Sequence, residues 1–212
     1  MNQIEKKESA TIFTPKRLEA LTDGVFAIVM TLLVLEISVP EIAQSSRHTE
    51  LPQRLLELWP KLLSYFISFV ILGIFWYLHH FAFRYIKQSD DRLIWLNIFF
   101  LMFVALIPFS TSLFGSYPKE QLPLIIYVTN MIFVGIMRFA LWAYATGKYR
   151  LVDRDISPRL IKWDRLVSIG FLFIFGLIIG VSFINAAAAR SIFALLGVFG
   201  FALLFTTRRL EQ

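Results

Sequence analysis

The length of its apolar runs constrains this chain more than any other feature. They lie at about 18–39, 60–84, 93–115, 122–146, 164–184 and 188–207. Each is close to the ~20 residues that an α-helix, rising about 1.5 Å per residue, needs to cross roughly 30 Å of hydrocarbon. Composition agrees: 57% of residues are hydrophobic, 22 are Phe, and the mean hydropathy is +0.66, whereas soluble domains run to about 45–50% apolar. The chain reads as an all-α membrane protein with six transmembrane helices.

Polar, charged and Pro-bearing residues fill the intervals: EIAQSSRHTELPQ, KQSDD, SYPKEQ, KYRLVDRDISPRLIKWD and the short INA turn. All five are expected as loops, none long enough to build a core of its own. With no internal repeat, the expected organisation is a segment 1–16, a six-helix membrane domain 17–207 and a tail 208–212. The absence of cysteine excludes disulfides and thiolate metal sites. MNQIEKKESATIFTPK has neither the short apolar core nor the cleavage site of a signal peptide, so the first span is expected to be retained.

Lys and Arg give the orientation. One side of the six-span layout collects Lys6, Lys7, Lys16, Arg17, Arg84, Lys87, Arg92, Lys148, Arg150, Arg154, Arg159, Lys162, Arg165, Arg208 and Arg209. The other has Arg47, Arg54, Lys61, Lys119 and Arg190. Both termini are therefore expected in the cytoplasm, in the cell membrane of a multi-pass protein. The net charge of +6 reads as basic flanks meeting anionic lipid headgroups, and nucleic acid is not an expected partner.

The first run, RLEALTDGVFAIVMTLLVLEI, carries charge at both ends. On a helical wheel Ile28, Leu32 and Leu35 lie within about 60° of one another with Thr31 beside them, and Asp23 sits about 140° from Ile28, on the side of Ala27. A carboxylate within a span is costly unless paired. The candidate partners are Arg17, His79, His80, Asn97 and Arg138; the plainer alternative is that Asp23 favours the N-terminal helix dipole near the interface.

Arg17, Leu21-Thr22-Asp23 and Ala27 resemble the first-helix signature of the transmembrane-protein-175 potassium channels: Arg or Lys, three residues, Phe-Ser-Asp, three residues, Ala. Leu21 and Thr22 replace the signature's Phe and Ser. The likeness continues through TLLVLEI, WYLHH with Trp76, His79 and His80, Asn97, IPFST and the six-span layout. It implies one six-helix repeat per chain, a homotetramer of identical subunits, and a central pore lined by the first helix of each.

Carried over position by position, the resemblance puts the pore constriction and gate on Ile28, with further apolar layers at Leu32 and Leu35, and a selectivity role on Thr31. It assigns Arg17, Asp23, Trp76, His80 and Asn97 to a buried structural network. Glu36 would stand near the outer mouth, where a carboxylate ring concentrates cations. No TVGYG-like carbonyl filter exists in the chain, so discrimination would fall to a narrow apolar ring that strips hydration from K+ more cheaply than from Na+ and dewets when closed. The expected function is passive K+ conduction, without cofactor or catalytic site.

Other readings are weaker. His79 and His80 are adjacent and point apart on a helix, with no HExxH or Cys partner for a metal. Arg138 is expected to find a buried partner or to snorkel to the cytoplasmic side, and it stands alone in its span, without the repetition of a voltage sensor. Gly176 and Gly180, like Gly197 and Gly200, suggest close helix packing. Pro108 is expected to kink the third span, with Ser110, Thr111 and Ser112 able to satisfy the freed backbone. A proton-coupled transporter using Asp23 and the histidines is the alternative function, but it predicts broken helices and an internal repeat, and neither is evident in the sequence. A membrane enzyme would need a nucleophile, base or metal constellation, and the candidates for one are scarce.

Overall fold

Residues 14–195 are described by the computed structural model, and nearly all lie in helices. In chain order these are α1 (Pro15–Leu35), α2 (Arg47–Glu57), α3 (Trp59–Tyr85), α4 (Asp91–Ala105), α5 (Ile107–Ser116), α6 (Gln121–Thr146) and α7 (Pro158–Ile184). A shorter apolar helix, α8 (Ala186–Leu195), follows. Five helical runs among the described residues are long and apolar enough to cross a membrane. The sixth expected span, 188–207, is described only in its first part; the rest of it, residues 1–13 and the tail 208–212 lie outside the described residues.

Local chemistry sets the starts. Pro15 and Pro158 stand in the first turns of α1 and α7, where a missing N–H costs nothing. The Asp90 side chain accepts from the Leu93 N–H at 2.9 Å and so caps α4. Tyr144 on α6 donates to the same carboxylate at 2.5 Å.

Three expectations are corrected. The segment EIAQSSRHTELPQ is largely helical, because Leu51, Leu55 and Leu58 recur at helical spacing; no residue of α2 is buried. The loop read as KYRLVDRDISPRLIKWD ends early: α7 begins at Pro158, which places Asp164 inside the helix. The third span breaks at Leu106, two residues before Pro108, between α4 and α5. There the Ser110 and Thr111 hydroxyls donate to the Ile107 carbonyl at 3.0 and 2.8 Å, not to the carbonyl of Val104 that the proline frees. Thr111 and Tyr127 both bond Ser68 at 2.8 Å, tying α3, α5 and α6 together by buried hydroxyls.

The spanning runs, with α4 and α5 taken together as one, alternate in direction. At one end Leu18 packs with Ala82, Leu93, Trp142 and Ile161, and the Lys87 N–H donates to the Leu151 carbonyl at 2.8 Å beside an isolated bridge between Ile86 and Val152. At the other end Gln121 donates to the Ser182 carbonyl at 2.9 Å, and Arg190 to that of Lys119 at 3.0 Å. Between the ends, Phe26, Leu72, Phe100, Val104, Tyr127, Met131 and Ile178 form the main core.

At Gly115 the absence of a side chain allows a close approach of two helices. A Cβ at Gly115 on α5 would stand 2.5 Å from Ser64 Oγ and 3.2 Å from the Lys61 Cα of α3. Gly176 and Gly180 meet nothing within 4 Å, so the close packing expected of them is not made among the described residues. Gly115→Ala should therefore destabilise the protein by about 1–3 kcal/mol of overpacking and lower its thermal midpoint, whereas Gly176→Ala should not. Melting curves of the two purified variants check this.

Candidate functional site

The first helix has two unlike faces. Leu18, Thr22, Phe26, Val29 and Leu33 are buried and form one stripe at helical spacing against α3, α4 and α5. Directly opposite lie Gly24, Ile28, Thr31 and Leu35, all exposed. Ile28 is 60% exposed and Leu35 72%, with Leu32 at 41% on the flank.

Exposure on a membrane helix ordinarily means lipid. The outward face of α7 fits that reading, with Leu166, Ile169, Phe173, Leu177 and Phe183 all exposed. The outward face of α1 is mixed. Beside the apolar Leu21, Ile28, Leu32, Val34 and Leu35 it exposes Arg17, Ala20, Asp23, Gly24, Ala27 and Thr31, charged, small and hydroxyl residues that suit contact with another helix or water better than lipid.

The Thr31 hydroxyl donates to the Ile28 carbonyl at 2.7 Å. Its hydrogen is thereby committed to the helix, and the oxygen keeps lone pairs that can ligate a cation. Glu36 is the half-buried C-cap of α1, one residue past the exposed Leu35.

The expected polar network divides into two layers. In the inner layer His79 Nε2 donates to Asn97 Oδ1 at 2.9 Å, and Asn97 Nδ2 donates to Thr22 Oγ1 at 3.2 Å. All three side chains are buried, and the His79 ring stacks on Phe83 and Phe100 with centroids 4.3 and 5.2 Å away. In the outer layer Trp76 Nε1 donates to Asp23 Oδ1 at 2.8 Å, and Trp76 stacks on His80 at 5.7 Å.

Of the five residues expected to be buried, only Asn97 is enclosed by a single chain; Arg17, Asp23, Trp76 and His80 are exposed. The reason is helical phase: residues 22 and 79 point inward, and their neighbours 23 and 80 point out. The histidine bonded to Asn97 is His79, not His80. Trp76 is the partner that Asp23 finds.

Arg138 is held by Asp164, which lies inside α7 and not at the loop boundary expected for it. Its Nη2 pairs with Asp164 Oδ1 and its Nη1 reaches Asp164 Oδ2 at 3.3 Å and Ser168 Oγ at 2.5 Å. Nη2 also donates to the Leu78 carbonyl of α3 at 3.4 Å. Both charges are almost fully buried, 3% and 0% exposed, so this pair locks α6 to α7 and touches α3 one residue before His79. A lone Arg in an apolar run and Pro158 at a helix start were the signals that could have found it. Among the described residues no group of His, Asp and Glu could hold a metal ion.

The family model for the endosomal/lysosomal potassium channel TMEM175 matches residues 17–108, the part that holds α1, the Trp76 to Asn97 network and the break at Leu106. A potassium channel of Streptomyces collinus is 31% identical over 191 residues, covering 86% of this chain and 89% of its own. This chain belongs to the TMEM175 family. Among solved structures, the crystal structure of a lysosomal potassium-selective TMEM175 homologue from Chamaesiphon minutus superposes with a TM-score of 0.78 at 28% identity, over 89% of this chain and 96% of that one. The family has vertebrate members too: the chicken endosomal/lysosomal proton channel TMEM175 is 36% identical over 139 residues, which are 61% of this chain and 28% of the chicken protein. With apolar helices of spanning length and this family, the chain is a multi-pass membrane protein.

Proposed function

We propose that this chain is a K+-permeable channel that assembles as a homotetramer around its four α1 helices and conducts passively. The observation that carries the reading is the face of α1 opposite its packing stripe: Gly24, Ile28, Thr31 and Leu35 are left uncovered, with small and hydroxyl side chains set among the apolar ones. Fourfold repetition turns these positions into rings. Ile28 makes the narrowest, apolar layer and gate, Leu32 and Leu35 the layers beyond it, and the Thr31 oxygens the ring that tunes the choice of cation. Glu36 stands near the outer mouth.

In the same reading Asp23, Trp76, His80 and Arg17, exposed on one chain, are enclosed between subunits beside the buried Asn97. No chemical step or cofactor is involved; the permeant ion is K+ itself, and the partners are identical subunits and membrane lipids. The potassium-channel names of the bacterial relatives support K+, and the vertebrate name supports testing protons beside it. Purified protein in liposomes should carry K+ faster than Na+ down a gradient, with an internal pH dye reporting protons in the same vesicles. Equal K+ and Na+ flux, or none of either, would overturn the reading.

The basic end of the bundle is assigned to the cytoplasm of the cell membrane, both termini with it. The native chain has no Cys, so single cysteines report cleanly. In intact cells Lys119→Cys should react with an impermeant thiol reagent, and Lys87→Cys and Lys148→Cys should not. The opposite pattern would invert the topology.

A further inference from the structure

Where α3 ends, at the basic end of the bundle, a cavity of about 270 Å³ is lined by Arg84, Tyr85, Lys87, Asp153, Asp155 and Ile156. Its two walls are fixed by backbone. The Lys87 N–H donates to the Leu151 carbonyl at 2.8 Å, and Ile86 bridges Val152, so the turn after α3 and the turn before α7 are stitched together. Buried Ile156 and Ile86 sit beneath them. The Lys87 ammonium donates to the Arg84 carbonyl at 3.2 Å, and both side chains line the cavity.

The wall from α3 is cationic and the wall before α7 is anionic. Yet among the described residues no ion pair joins Arg84 or Lys87 to Asp153 or Asp155. Two cations and two carboxylates thus face one small space without closing on each other. The space sits where a membrane helix leaves the hydrocarbon, with Tyr85, an interfacial residue type, at its edge.

We propose that this cavity binds a zwitterionic group carrying a phosphate and a primary ammonium a short link apart, the chemistry of a phosphatidylethanolamine headgroup. The phosphate is held by Arg84 and Lys87 through charge-assisted hydrogen bonds. The ammonium donates to Asp153 and Asp155. Both ends are required: an anionic lipid leaves the two carboxylates facing its phosphate unsatisfied, and a quaternary ammonium has no N–H to donate. The volume, just under the roughly 300 Å³ at which small-molecule pockets begin, suits a headgroup and leaves the acyl chains outside, along α3.

The test uses the full chain in detergent micelles doped with one lipid at a time, read by native mass spectrometry and by thermal midpoint. Wild type should bind phosphatidylethanolamine about tenfold more tightly than phosphatidylglycerol or phosphatidylcholine, the worth of one charge-assisted hydrogen bond. In Asp153→Asn/Asp155→Asn that preference over phosphatidylglycerol should vanish while phosphatidylglycerol still binds. Arg84→Gln/Lys87→Gln should weaken both lipids. All four side chains are exposed or at the rim, and unchanged midpoints without lipid verify that the variants fold. If water-soluble phosphoethanolamine reproduces the shift given by the lipid, the chemistry stands and its source is a solute. Equal binding of the three lipids by wild type, or a preference surviving in the carboxylate variant, would overturn the proposal.

Discussion

Arg138→Met should destabilise the protein by about 3–5 kcal/mol, and Asp164→Leu by a similar amount, because each leaves the opposite charge buried without a partner. The guanidinium and carboxylate are almost wholly enclosed, and Ser168 and the Leu78 carbonyl offer only neutral acceptors to an abandoned Arg138. Against a typical stability of about 5–15 kcal/mol, either loss is enough to cut the yield of folded protein steeply. The double variant Arg138→Met/Asp164→Leu should recover most of it, since two apolar side chains replacing a buried ion pair are often neutral or stabilising. Detergent-solubilised yield and melting curves of the three variants measure this. A double variant no better than the singles would mean that Arg138 is held chiefly by Ser168 and Leu78.

Ile28→Asn should raise ion flux and weaken the preference for K+. The substitution keeps the side chain similar in size but places amide dipoles where the proposed ring of apolar branches would exclude water, so a hydrated ion should meet a lower barrier. Lowering the barrier by about 1.4 kcal/mol raises flux about tenfold, and the gain is larger for Na+, which holds its water more tightly. Under opposed K+ and Na+ solutions the reversal potential should move toward zero. Thr31→Ala should act differently: it leaves the apolar ring in place and removes the oxygen, reducing K+ preference with little change in total current. Unchanged currents in Ile28→Asn would place the constriction elsewhere.

Much of the fold was legible because spanning a bilayer fixes helix length. The runs at 60–84 and 122–146 fall within a few residues of α3 and α6. What escaped were features in which length and hydropathy carry no signal. α2 is short and polar on one side, and Pro52 lies within it; only the Leu51, Leu55, Leu58 spacing gave it away. Asp164 stood where the expected loop met the expected span 164–184, although Pro158 marks the helix start six residues earlier.

The site was legible in its members and less so in their pairing. Thr22, Asp23, Trp76 and Asn97 are all drawn together around α1. Which of two adjacent histidines turns inward depends on the phase of α3, and a hundred-degree step decides between burial and exposure. The uncovered face of α1 is visible only when the bundle is assembled, since the buried Phe26 and Val29 are no more apolar than the exposed Ile28 and Leu32.

The central claim, that α1 lines the pore, is tested most directly by single cysteines in the cysteine-free chain, with K+ current recorded in planar bilayers before and after a water-soluble thiol reagent. Cysteines at Gly24, Ile28, Thr31 and Leu35 should each let the reagent block the current, at the helical spacing of that face. Cysteines at the equally exposed Phe173 and Leu177 of α7 should leave it unaffected. Block from α7 with none from α1 would contradict the account.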